Sequence, residues 1–256
     1  MSFTKRRCSR TLLIFLLCET VLGASCVYAG VFKTDDIEVG DTVIFGKYDQ
    51  DKSKSGKEEL EWRVLEKDTN RGRALLLTEN CIECMPYHTE KMDITWKDSS
   101  LRQWLNSMFL QETFSDDEQD QILEGDIETC VDQDLNPDGV VRTSDRIFLL
   151  SDEEVKKYFK DKTDRLAKVS PLIHKEVETE ENEAEGETND EKKEEEGGMK
   201  PAVSELTDGI FWWLRSPGDR QDCAECVGAE GSVVTAGYTV LQANFGVRPA
   251  MWVKLD

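Results

Sequence analysis

Basic residues are scarce in this chain. Its 256 residues hold 32 Lys and Arg against 53 Asp and Glu, a formal charge of −21. That balance excludes a nucleic-acid binder, because binding needs Lys and Arg to neutralise phosphates. It also disfavours an anionic membrane surface, while leaving divalent cations, cationic partners or plain solubility open. Histidine is nearly absent: His88 and His174 are the two in the chain, and neither has a ligand partner at useful spacing, so both read as surface residues. The sequence contains no G-x-S-x-G, no H-E-x-x-H and no glycine-rich phosphate loop. It therefore lacks the nucleophile elbow, the zinc-protease helix and the nucleotide cradle. Paired carboxylates occur throughout so acidic a chain, and spacing alone identifies no glycosidase dyad. Past the N-terminus no apolar run approaches the roughly 20 residues of a membrane-spanning helix, and no internal repeat period appears.

What is present begins with a leader. Lys5, Arg6, Arg7 and Arg10 form a positive start, residues 11–18 a short apolar run, and Val27-Tyr28-Ala29 a small-residue cleavage site. This layout predicts a secretory signal peptide over residues 1–29, with export from a bacterium. The alternatives are a lipoprotein lipidated at Cys26 and an uncleaved anchor. Removing residues 1–29 takes away four basic residues and Glu19, leaving 227 residues with a charge near −24. That length suits one domain or a domain with an insert. The insert is predicted at about 174–204. Residues 176–196 carry twelve acids against Lys192 and Lys193, with no aromatic residue and Val177 as the one aliphatic side chain beyond alanine. Such a segment cannot bury enough apolar surface to offset its ordering entropy and is expected to be disordered.

The rest reads as α+β. Strands are expected at residues 42–48, 60–65, 74–78, 146–150, 211–215, 231–235, 238–241 and 247–253, from β-branched and aromatic runs bounded by turn residues. Ser99 or Ser100 is positioned to cap a helix whose Leu101, Trp104, Leu105 and Met108 fall on one apolar face. Ser115 with Glu118, and Ser151 with Glu154, spell capping boxes for helices running to Ile122 and to Phe159. Short strands around two or three helices, without βαβ alternation, argue against a parallel sheet.

Several segments carry a resemblance. They include Phe45-Gly46-Lys47-Tyr48, Trp62-Arg63-Val64-Leu65, Leu101-Arg102-Gln103-Trp104-Leu105-Asn106 and Asp145-Arg146-Ile147-Phe148-Leu149-Leu150-Ser151. Trp212-Trp213-Leu214-Arg215-Ser216-Pro217-Gly218 and Gly246-Val247-Arg248-Pro249-Ala250 follow. In this order the chain resembles the bacterial family labelled domain of unknown function 6273, which occurs in secreted and surface proteins. Its ending resembles, more distantly, formylglycine-generating enzymes and C-type-lectin-like folds. The resemblance implies a mixed C-type-lectin-like or sulfatase-modifying-factor-like fold; activity does not follow from fold. Formylglycine-generating oxidases bind copper through a cysteine pair spaced by four residues, whereas Cys223 and Cys226 are spaced by two.

Three groups of residues are candidate sites. Trp212, Trp213 and Trp252, with Arg215 and Arg248, could line a glycan- or anion-binding face. Neighbouring tryptophans on a strand point to opposite sides, so two of the three are expected in the core, and the arginines are expected to satisfy carbonyls or a carboxylate. Cys81 with Cys84, and Cys223 with Cys226, make two C-x-x-C pairs suited to disulfides, to a zinc site when taken together, or to free thiols, with Cys130 left over. Residues 134–145 (D-L-N-P-D-G-V-V-R-T-S-D) match the spacing of a calcium loop, with Asp134, Asn136 and Asp138 giving side-chain oxygens, Val140 a carbonyl, and Asp145 closing the site. The competing reading is a turn entering a strand. Three functions stay open at this point: a noncatalytic secreted or cell-surface domain binding a glycan or protein partner, a relative of the formylglycine-generating oxidases, and a structural accessory module of the cell envelope.

Overall fold

A computed structural model of the chain describes residues 26–28, 32–33, 36–50, 56–131, 139–168 and 209–256. The acidic insert, residues 1–25 and Ala29 of the leader, and His174 lie outside the described residues. In chain order the first strands are β1 (Cys26–Tyr28), β2 (Thr42–Tyr48), β3 (Glu58–Asp68), β4 (Arg73–Thr78) and β5 (Glu83–Cys84). Next come β6 (Ile122–Leu123), β7 (Gly125–Cys130) and β8 (Val140–Asp145). The last are β9 (Trp212–Pro217), β10 (Cys223–Val227), β11 (Val233–Thr239), β12 (Gly246–Val247) and β13 (Ala250–Lys254). They form a six-stranded sheet ordered β1-β2-β3-β4-β13-β6, a five-stranded sheet ordered β11-β10-β9-β12-β5, and the β7-β8 hairpin. With short helices between the strands, the fold is α+β.

The patterning explains the placement of the strands. In β3, Leu60, Trp62 and Val64 are buried while Glu59 and Glu61 face out, the period of two expected of a half-buried strand. In β4, every residue after Arg73 is buried, because β3 and β13 flank it on both sides. The two sheets are joined by the chain end. A continuous strand was expected at 247–253, but β12 stops at Val247 and β13 resumes at Ala250 in the other sheet. Pro249 has no N–H to give a ladder, and its carbonyl instead accepts from Thr78 N at 3.1 Å. Conversely, the two strands expected at 231–235 and 238–241 merge into one, β11, at Val233–Thr239, paired antiparallel with β10.

The helical layer covers β2. Ser99 caps α1 (Ser100–Trp104) by accepting from Arg102 N. A π-helical turn at Leu105–Phe109 follows, and then α2 (Leu110–Thr113). The π turn alters the expected apolar face. Leu101, Leu105 and Phe109 are buried, but Met108 is 54% exposed. Phe109 and Phe114 pack on Tyr48 and Phe45, with ring centroids at 5.2 Å in each pair. Gly46 makes this approach feasible: its φ is +74°, and a Cβ there would lie 2.6 Å from the Phe114 ring. Both capping boxes form, at α3 (Asp116–Gln119) and α4 (Asp152–Tyr158). The first helix ends before Ile122, which starts β6 beside Val253.

The expected strand at 146–150 is reduced to a bridge between Phe148 and Ala250. The reason lies in Asn106. Its Oδ1 accepts from the N–H groups of Arg146 (2.9 Å) and Ile147 (3.1 Å), and its Nδ2 donates to Ile147 O (2.7 Å). One side chain thus takes the backbone groups a neighbouring strand would have used.

Candidate ligand cleft

The residues that stand out in the sequence are mostly structural. Trp212 and Trp213 are fully buried, their indole N–H groups donating to Arg165 O (3.1 Å) and Met85 O (3.0 Å). Trp252 is half-buried, with the Arg73 guanidinium 4.0 Å above its ring. No exposed stacking platform remains on these three. Arg248 is 1% exposed and donates to Thr78 O (2.8 Å) and Glu79 O (3.1 Å), with its guanidinium 5.2 Å from the Trp212 ring. Burial pulls its pKa down to about 10, so it stays charged at neutral pH. Arg215 is buried, donating to Leu149 O (2.8 Å), to Glu128 O (3.0 Å) and to the Glu154 carboxylate of the α4 capping box. Both arginines tie strand ends to loops and leave no open anion site.

Of the candidate calcium ligands, Asp134, Asn136 and Asp138 lie outside the described residues. Val140 and Asp145 occupy opposite ends of β8, five residues apart. At about 3.3 Å per residue they are roughly 17 Å apart, whereas a calcium loop must bring its ligands around one ion. The reason is the β7–β8 pairing, which extends residues 140–145 against 125–130. Asp145 is also fully engaged: Trp96 Nε1 (2.9 Å), Arg102 Nε (2.6 Å) and Thr143 Oγ1 (2.6 Å) all donate to it.

The cysteine pairs are not brought together either. Strands β9 and β12 lie between β10, which carries Cys223 and Cys226, and β5, which carries Cys84. At about 4.8 Å per strand spacing this separates the pairs by roughly 14 Å, too far for four sulfurs on one zinc at about 2.3 Å. Within β10, three residues of extended chain put the two Cα atoms roughly 10 Å apart, beyond disulfide reach. Among the described residues, no group of three or more His, Cys, Asp or Glu converges on a metal position. Burial pushes the Cys81, Cys223 and Cys226 thiols up, keeping them protonated and poorly nucleophilic. His88 is half-buried, not a surface residue; its Nδ1 accepts from Ser100 N at 3.1 Å at the start of α1.

A different place has the features of a binding site. A cleft of about 490 Å³ opens where the end of β2 meets β5 and the π-turned helix. Its floor is Tyr48 and Glu83, joined by a hydrogen bond from the phenol to Glu83 Oε2 at 3.1 Å. Asp49 and Glu112 flank them, and Lys57 enters from the start of β3. Trp104, Met85 and Met108 supply the apolar wall. The Trp104 ring meets Tyr48 edge-on with centroids 6.3 Å apart. Burial, then the charges of Glu83, Glu112 and Asp49, push the Tyr48 pKa up, so its hydroxyl remains a donor.

Cys84 also lines the cleft, and it is the one lining residue that sequence reasoning nominated. Tyr48 read as a strand end and Trp104 and Met108 as core. The usable signal was an apolar position, Met108, that a single inserted residue in the helical turn rotates out of the core.

A family model described as domain of unknown function (DUF6273) matches residues 71–255. The chain belongs to this family. The DUF6273 match spans most of both sheets, from just before β4 through β13. It includes the β5, α1 and α2 walls of the cleft, while Tyr48, Asp49 and Lys57 precede it. No curated protein and no solved structure matches the chain.

Proposed function

We propose that this chain is a noncatalytic secreted or cell-surface domain that holds a protein partner through the Tyr48–Glu83 cleft. In this reading the leader 1–29 is removed on export together with the edge strand β1, and residues 30–256 form one domain interrupted by the acidic insert. The finer fold reading, C-type-lectin-like, rests on the Trp212–Pro217 strand and the Gly246–Ala250 motif. The single observation carrying the function is the cleft, where carboxylates, a half-buried tryptophan and an exposed methionine face open volume. Cavities of a few hundred Å³ with a few convergent polar groups are the usual form of ligand sites. A protein partner is favoured over a glycan because Trp212 and Trp213 are core and the ring of Trp252 is covered by Arg73.

The test is selection of displayed random peptides on the full chain, run beside a glycan array. Peptides that bind the native protein and lose binding to Trp104→Ala support the reading. Array hits lost in the same variant, without peptide hits, move the ligand to glycans. Peptides and glycans indifferent to every cleft substitution overturn the site.

A further inference from the structure

Glu225 sits in the middle of β10, between β9 and β11, and is 8% exposed. Its Oε2 is buried and has no hydrogen-bond partner. A buried carboxyl oxygen without a donor is costly, and an ionised one far more so. The β9–β10 register slips between Ala224 and Cys226, which sets Glu225 across from residues 214–216 of β9. That stretch holds α4. Ser216 Oγ accepts from Asp152 N (3.0 Å) and donates to Asp152 Oδ1 (3.1 Å), and the Arg215 guanidinium donates to the Glu154 carboxylate. Both acids belong to the first turn of α4. We infer that Glu225 and this turn form a pH-sensitive latch: with the Glu225 carboxyl protonated, α4 lies closed on the sheet, and loss of that proton loosens it. None of these residues lines the cleft.

The surroundings set the direction. Burial first, then the Asp152 charge, disfavours the ionised form; Asp219 in the β9–β10 turn adds to this, and Lys156 on α4 opposes it. Lys156 is already engaged by Asp152, at 2.7 Å. Arg220 and Asp222 in the same turn pair with each other, Arg215 is held by Glu154, and β11 carries no charged residue. The closed state therefore keeps the proton up to about 7, whereas a carboxyl that opening exposes to water returns toward 4.5. Below 4.5 both states are protonated and pH has no effect. Between 4.5 and about 7 opening releases the proton, so the open fraction rises about tenfold per pH unit; above that it levels off. The helix is the part that yields. β10 is buried throughout and paired on both sides, whereas α4 has seven residues, too few to stay helical without its tertiary contacts.

Hydrogen exchange of the full chain tests the latch, each amide rate being divided by its intrinsic rate at the same pH. The amides of Asp152, Glu154 and Val155 bond to Ser216 Oγ, Ser151 Oγ and Ser151 O. Their protection is expected to fall by about tenfold or more from pH 5 to pH 7.5. It should stay below that of Leu76 and Leu77 in β4 and barely respond to low urea, as a local opening exposes little surface. Glu225→Gln, which cannot ionise, is expected to hold the α4 protection flat over the same range. Flat protection in the parent, or a fall that persists in Glu225→Gln, overturns the latch. So does α4 sharing the protection and urea response of β4 at every pH, because the helix then opens only when the whole chain unfolds. A midpoint near 4.5 for the Glu225 carboxyl in the carbon-13 spectrum of the parent overturns it whether or not the glutamine variant folds.

Discussion

The motif-bearing interior and the cleft treat charge in opposite ways. In the interior, Asp145 accepts from three donors, Asn106 takes both sides of a neighbouring backbone, and Arg215 and Arg248 spend their N–H groups on carbonyls. These four side chains are matched to partners. In the cleft, Asp49, Glu83 and Glu112 line open volume together with Lys57. Trp212, Trp213, Arg215 and Arg248 thus hold the chain together, whereas the cleft combines Tyr48 and Trp104 from two other motifs with Asp49, Glu83 and Glu112, which belong to none.

The largest effect should come from breaking the interior. Asp145 has a fully buried side chain, and Asp145→Ala strands the Arg102 guanidinium and the Trp96 N–H. Removing one partner of a buried ion pair costs about 3–5 kcal/mol, so urea unfolding should show a loss of that size. Gly46→Ala comes next. A Cβ at φ +74° is strained and would collide with Phe114, which must shift. Strain of this kind costs about 1–3 kcal/mol, and the same unfolding measurement should show it, with the Tyr48 wall of the cleft loosened.

One interior carboxylate breaks the rule and sharpens the comparison. Glu225 on β10 is 8% exposed, and its Oε2 has no hydrogen-bond partner. Burial first, then the Asp152 charge, pushes its pKa up from 4.5 to about 7, with Asp219 adding and Lys156 opposing. The folded state therefore holds this proton more tightly than the unfolded chain. The stability it brings is complete below 4.5 and is lost as pH rises through about 7. Glu225→Gln should be more stable than the parent at pH 8 by on the order of 1–3 kcal/mol, the gap closing toward pH 4, as read by unfolding across pH. A pH-independent gap would contradict this.

The smallest effect on stability belongs to the cleft. Glu112 is exposed, and Glu112→Gln should change unfolding by no more than about 0.5 kcal/mol.

Much of the fold was legible in the sequence because its signals are local. Period-two burial in β3 and the capping boxes at Ser115 and Ser151 depend on neighbours within a few residues. The mistakes came where a distant residue overrides the local pattern. Asn106 displaces a strand at 146–150, and Pro249 divides one at 247–253. The cleft was illegible for the same reason. Tyr48, Glu83 and Met108 come from three separated stretches, and only tertiary packing together with a π turn assembles them.

The central claim is that Trp104, not Trp212 or Trp213, faces the partner. Six tryptophans give six indole N–H resonances, which single Trp→Phe variants assign. Titrating a peptide selected by display into the nitrogen-15-labelled chain should move the Trp104 resonance and leave those of Trp62, Trp96, Trp212 and Trp213 in place. A shift confined to Trp212 or Trp213, with Trp104 unmoved, would contradict the account.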